Sequence, residues 1–434
     1  MKIVLLLLSI STMVWAAGTP SDLPPSYYSV SYEASEKPGE LAMPVTYTMW
    51  IPEGVKTLRG VIVHQHGCGK SSGVTGETAA FDLHWQALAK KWNCALLGPA
   101  YHQLTATDCR NWCDPRRGSD AAFQKALAHF AEESKHPELT TVPWCLWGHS
   151  GGGFWSSLML TLHPERIAAI FFRSGSAYYI WERGEIPKPT LTPAVYEVPF
   201  MFIGGVKEAQ DPNHGPSRIG DRAMLKVWRE HGAPGGLASD PLSGHECGNS
   251  RYLAIAFFDA CLAQRLPETG NTLRPVDMTG AWFGNPDLSS AQPSDEFTGN
   301  KAEALWLPDA TFAKAWMSYN KTGLPNDTTP PQAPTKVHLS ASGELSWNAE
   351  IDLESGLRGF IIQRDGKEWV RLPEKPVGKI GVPLFQGLTG GDTPVVALPP
   401  MRYATKSGEA HEYRILSVNG AGLSSEPSAP AIKE

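Results

Sequence analysis

The chain has 434 residues, 42% of them hydrophobic and 19% charged, with 42 Gly and 36 Pro. That composition is globular and loop-rich, and the length exceeds what one core fills, so two or three domains are expected. Against 44 acidic residues stand 38 basic ones, a net charge of −6, which leaves no positive field to gather a polyanion and sets nucleic-acid binding aside.

At the amino end Met1-Lys2 is positive, Ile3 to Val14 is almost wholly apolar, and Val14-Trp15-Ala16 puts small residues around a cut. Residues 1–17 therefore read as a secretory signal peptide, which predicts a secreted or periplasmic mature chain. The run is shorter than the about 20 residues a spanning helix needs, and no membrane span is expected in the mature chain.

Residues 18–267 alternate strand and helix patterns. Pro44 to Ile51, Gly60 to His64, Ala95 to Gly98, Val142 to Trp147, Ile167 to Phe172 and Val198 to Gly204 read as strands. Phe123, Leu127, Phe130 and Ala131, the run Ala223 to Glu230, and the face Leu253, Ala256, Phe257, Ala260 and Cys261 recur at helical spacing. Such alternation predicts an α/β domain, a mostly parallel sheet with helices on both faces. Residues 268–325 are turn-rich with a helical pattern from Lys301 to Tyr319, a segment expected to pack on that domain. Residues 326–334 (NDTTPPQAP) read as an extended linker.

Residues 335–434 have the short alternating strands of a small all-β sandwich, at Lys336–Leu339, Gly343–Trp347, Gly359–Arg364 and His411–Val418. Trp347, Tyr413 and the ending Val418 to Pro427 resemble a fibronectin type III module. The stretch Lys375 to Leu398 exceeds a simple inter-strand loop. A spacer, or a contact to polymer or cell surface, is the role expected of this unit, so removing residues 326–434 should leave the chemistry of the preceding domain intact.

Gly148-His149-Ser150-Gly151-Gly152 lies between a predicted strand and the helical run Phe154–Leu162. A chain that turns so sharply needs small residues two positions either side of the serine, and it presents the hydroxyl at the bend. A serine nucleophile needs a base, and His245 lies after the last strand and ahead of the Tyr252 helix. The orienting acid should follow the preceding strand: Glu208 is favoured, with Asp211 the alternative. Their order, Ser150, Glu208, His245, is that of α/β-hydrolases. Oxyanion donors are expected from the backbone of Gly151 and, after the strand ending near His64, of Cys68.

His66-Gly67-Cys68-Gly69, Cys109-Arg110-Asn111-Trp112, Gly148 to Gly152, His163-Pro164-Glu165-Arg166 and Ser174-Gly175 resemble secreted α/β-hydrolases related to poly(3-hydroxybutyrate) depolymerases and feruloyl esterases. The resemblance implies carboxylic ester hydrolysis through an acyl-serine, on plant- or polymer-derived esters. The chain departs from it at Gly204-Gly205-Val206-Lys207-Glu208, where such proteins usually carry His-Gly-Asp-x-Asp. The aromatic, proline-bearing stretch 177–196 is either a wall of the pocket or packing. The rival readings are a serine peptidase of the same fold and a secreted binding protein that has lost catalysis. No cofactor or metal is expected, since no CxxC pair or histidine cluster offers a ligand set. Seven Cys leave at least one unpaired; Cys94 and Cys145 read as buried small hydrophobes, and Cys109 with Cys113 as a local staple across a polar loop.

Overall fold

A computed structural model describes residues 23–69, 76–378, 381–405 and 411–433; the signal-peptide reading of residues 1–17 lies outside them. Eight strands form the main sheet: β1 (Tyr27–Tyr32), β2 (Val45–Trp50), β3 (Gly60–Gln65), β4 (Cys94–Tyr101), β5 (Trp144–His149), β6 (Ile167–Arg173), β7 (Phe200–Gly205) and β8 (Gly235–Asp240). Their spatial order is β1-β2-β4-β3-β5-β6-β7-β8. β1 and β2 run antiparallel to their neighbours, and every pairing from β4 to β8 is parallel. This is the α/β-hydrolase fold. Because helices cover both faces, β3 to β7 are buried at every position, which explains their unbroken apolar runs. The edge strand β1 escapes sequence reading because YYSVSY is half-exposed and has no apolar stripe.

The helix read at Ala223–Glu230 begins at Gly215. Gly215, Pro216 and Gly220 look like breakers, yet proline is tolerated in a first turn. Gly220 is needed because a Cβ there would lie 2.7 Å from that of Tyr179. Within 268–325, β9 (Trp282–Gly284), β10 (Ala291–Pro293) and β11 (Leu305–Leu307) make a small antiparallel sheet, followed by the helix Ala310–Thr322. That helix is tied to β8 by Trp316 Nε1–H donating to the Leu237 carbonyl at 2.8 Å and Tyr319 donating to Asp240 at 2.9 Å.

The C-terminal unit has two sheets. One contains β12 (Thr335–Leu339), β13 (Glu344–Asn348), β16 (Arg402–Ala404) and β18 (Ile432–Lys433); the other contains β14 (Leu357–Arg364), β15 (Lys367–Leu372) and β17 (Tyr413–Asn419). Pairing is antiparallel except between β12 and β18. Trp347, Phe360, Ile362, Tyr413 and Ile415 fill the space between the sheets. The long connection from β15 to β16 turns back onto the α/β domain: Gln386 Nε2–H donates to the Phe81 carbonyl at 2.8 Å, and Asp392 is buried beside Arg251.

Candidate active site

Ser150 sits between β5 and the helix Gly151–Leu162 at φ 53°, ψ −114°. A residue bearing a side chain adopts that conformation at a cost of roughly 1–3 kcal/mol, so the surroundings must impose it. They leave no room for alternatives. A Cβ on Gly148 would lie 2.5 Å from Gly152, and one on Gly175 would lie 2.6 Å from the Ser150 carbonyl oxygen. Ser150 N–H donates to the Arg173 carbonyl at 2.8 Å, and its carbonyl accepts the first helical bond from Phe154 at 3.0 Å. The helix amino terminus behind it favours negative charge at the bend.

The His66-Gly67-Cys68 segment leaves β3 and passes beside this bend. A Cβ on Gly67 would be 3.1 Å from that of Ser150, and one on Gly151 would be 3.3 Å from the Cys68 nitrogen. His66 is buried and holds a defined tautomer. Its Nε2 accepts from Tyr101 N–H at 3.2 Å, so Nδ1 carries the proton and donates to the Gly67 carbonyl at 2.6 Å. Burial lowers this imidazole to about 4, opposed by the bond to Gly67, and it is neutral above that pH. In a trans peptide the carbonyl and the following N–H point opposite ways, so fixing the Gly67 carbonyl also fixes the direction of Cys68 N–H.

Glu208 and His245 meet. Glu208 Oε1 lies 2.6 Å from His245 Nδ1, and its Oε2 accepts from Ser174 Oγ–H at 2.7 Å. Glu208 is fully buried; burial alone would raise its carboxyl, but the bonds from His245 and Ser174 and the charge of Arg173 hold it below the ordinary glutamate value. Arg173, at the end of β6 and also buried, is wrapped by the His245 loop. Its Nη2 donates to Ser243 Oγ at 3.0 Å, to the Gly244 carbonyl at 2.7 Å and to the Glu246 carbonyl. His149, beside the serine, ties that loop down from the other side, Nε2 to the His245 carbonyl at 2.7 Å. The bend at Ser150 and the His245 imidazole are thus at the same end of the sheet.

Asp211 does not reach His245. It pairs with His214, Oδ2 to Nδ1 at 2.7 Å, and the His214 ring stacks on His245 with centroids 3.8 Å apart. Spacing favours Glu208 over Asp211; the motif strings hold His66, His149 and Ser174 without giving them a task, and spacing does not announce Arg173 or His214, whose contacts with the His245 loop and ring form only in the fold. A further signal is that Arg173 closes the buried strand β6, where a charged residue is unusual.

The expected Cys109–Cys113 staple is absent. Cys109 instead pairs with Cys68, 41 residues away, with Cα atoms 5.4 Å apart, while Cys113 is a buried free thiol. Besides its backbone N–H, Cys68 thus contributes its sulfur, which fastens the segment beside Ser150 to the short helix Cys109–Cys113. The three sulfurs lie within 4.8 Å of one another, but the bridge consumes two as ligands. In the stretch 177–196, Tyr178, Trp181 and Val195 are buried, and Tyr178 packs edge-on against Trp228 with centroids 5.7 Å apart; these side chains are packing. No helix of the described residues is long and apolar enough to cross a membrane.

No family model matches the chain, and no curated protein matches it. Solved structures do. A cold-adapted esterase from an Arctic intertidal metagenomic library is similar at 16% identity over 57% of this chain and 97% of its own, TM-score 0.37. A ferulic acid esterase is similar at 12% identity over 55% of this chain and 97% of its own, TM-score 0.38. The dienelactone hydrolase of Anabaena variabilis is similar at 18% identity over 50% and 87%, TM-score 0.32. Likeness at this level carries no functional weight, and what the site can do rests on its geometry.

Proposed function

We propose that this chain is an exported serine esterase that cleaves carboxylic esters through an acyl-serine at Ser150. The observation that carries the reading is the strained bend of Ser150, φ 53°, at the sheet end where a buried glutamate holds His245 by Nδ1 at 2.6 Å. With Nδ1–H donating to Glu208, His245 Nε2 is left as the base. It takes the proton as Ser150 Oγ bonds to the ester carbonyl carbon, and Glu208 stabilises the imidazolium that forms. Gly151 and Cys68 N–H receive the developing oxyanion. Collapse expels the alkoxide, which takes the proton from His245 and leaves as the alcohol; water, activated by the same imidazole, then releases the acid.

The Cys68–Cys109 bridge supports export, since disulfides persist in oxidising compartments. Esters of plant or polymer origin are the substrates we infer, with the C-terminal unit facing the polymer or a cell surface. A short-chain nitrophenyl ester offered beside a peptide anilide tests the reaction class. Turnover of the ester alone is expected; turnover of the anilide would make the protein a peptidase, and turnover of neither would remove the catalytic reading.

A further inference from the structure

The long connection Lys375–Leu398 stands out in the sequence, and the function above gives it no task. Its tip is buried in the α/β domain. Asp392 is 1% exposed. Its Oδ1 accepts from Arg251 Nε–H at 2.8 Å, and its Oδ2 lies 3.2 Å from His64 Nε2 and 3.1 Å from Trp85 Nε1. Arg251 completes its pairing with Asp82, Nη2 to Oδ2 at 2.6 Å. Asp392 adopts φ 63°, a left-handed conformation that Asp and Asn tolerate better than most residues.

Each contact leads toward His245. Arg251 is in the first turn of the helix Ser250–Arg265, which the His245 loop enters. On that loop, Cys247 N–H donates to the Gly390 carbonyl at 3.0 Å, and Asn249 Oδ1 accepts from Val382 N–H at 2.7 Å. On the other side, the His64 ring stacks on Trp147, centroids 4.0 Å apart, in the strand that ends at His149.

We propose that residues 384–397 of the C-terminal unit are a positioning element for His245, with Asp392 as the anchor, so that the esterase is complete only with that unit docked. Asp392 touches no substrate and acts through Arg251, His64 and the loop they brace. The inference rests on the esterase reading and runs against the sequence-based expectation that residues 326–434 can be removed without consequence.

The test uses the full chain and a short-chain nitrophenyl ester. Asp392→Asn keeps the shape and the tolerance for positive φ but removes the charge that fixes Arg251. It should lower kcat by on the order of ten- to a hundred-fold, the effect of a small misplacement of a catalytic group, with KM within about three-fold, as an intact binding surface requires. Glu350→Gln, which breaks only the exposed pair with Lys90 at the same interface, should leave both constants unchanged. A normal kcat in Asp392→Asn overturns the proposal. Should that variant fail to fold, a protease site placed within 326–334 of the otherwise native chain decides. The cut pieces should co-elute and keep turnover, and parting of the pieces with turnover intact overturns the proposal. Absence of turnover in the uncut native chain would overturn the esterase reading first, and with it this one.

Discussion

Two buried arginine–carboxylate clusters lie in the α/β domain, built from the same chemistry and put to different uses. Around Glu208, Arg173 and the acid are completely buried, but the third member, His245, has a side chain 20% exposed. Around Asp392, the side chains of Arg251, Asp82, Asp392 and His64 are all at or below 1%. Burial would raise the Asp392 carboxyl, but Arg251 and His64 hold it down to about 2. The first cluster has one member open to solvent, and the second has none. A perturbed carboxylate marks either a site or a brace, and access to one member separates the two.

The comparison can be broken at its catalytic side first. Glu208→Gln keeps the shape but loses the charge that stabilises imidazolium and invites the wrong tautomer, and kcat should fall by about 10²–10⁴-fold in a stopped assay on the nitrophenyl ester. Asp211→Asn, whose partner is His214 and not His245, should change kcat by less than about five-fold; a loss like that of Glu208→Gln would move the acid to Asp211. The smallest effect concerns Asp221, a buried acid on the helix Gly215–Glu230 that belongs to neither cluster but feels the charges of Glu208 and Arg173. Burial raises it to about 7, only partly offset by Ser176, and its Oδ1 has no hydrogen-bond partner. An acid raised in the fold binds its proton more tightly folded than unfolded, so its stability contribution is lost as pH rises from about 4 to about 7. Asp221→Asn should therefore raise Tm at pH 8 and leave it nearly unchanged at pH 4; melting curves at the two pH values give the sign.

Much of the catalytic half is legible in the sequence because its constraints are local. Gly148 is small because the backbone of Gly152 in the turn itself passes within 2.5 Å of where a side chain would begin, and Gly152 because the Gln65 and His66 carbonyls leaving β3 crowd it; both demands show in one five-residue string. The parallel strands are legible because two-sided burial removes polar residues from them. What stays hidden depends on residues that meet only after folding. Cys68 finds Cys109 and not the nearby Cys113, because the His66–Gly69 segment crosses beside the helix that Cys109 begins. Arg173 reads as an odd charge at a strand end until the His245 loop wraps it. Within the long stretch Lys375 to Leu398 nothing local singles out Asp392, since its carboxylate is received by an arginine 141 residues away.

The central claim is that Ser150 is an activated nucleophile, and the most direct measurement is mass spectrometry of the intact chain after a fluorophosphonate probe. The account predicts one adduct, on the peptide carrying Ser150, formed quickly in the native chain, slowed strongly in His245→Ala and absent in Ser150→Ala together with ester turnover. Labelling that persists in Ser150→Ala, or a native chain that turns over esters with Ser150 unmodified, would contradict it.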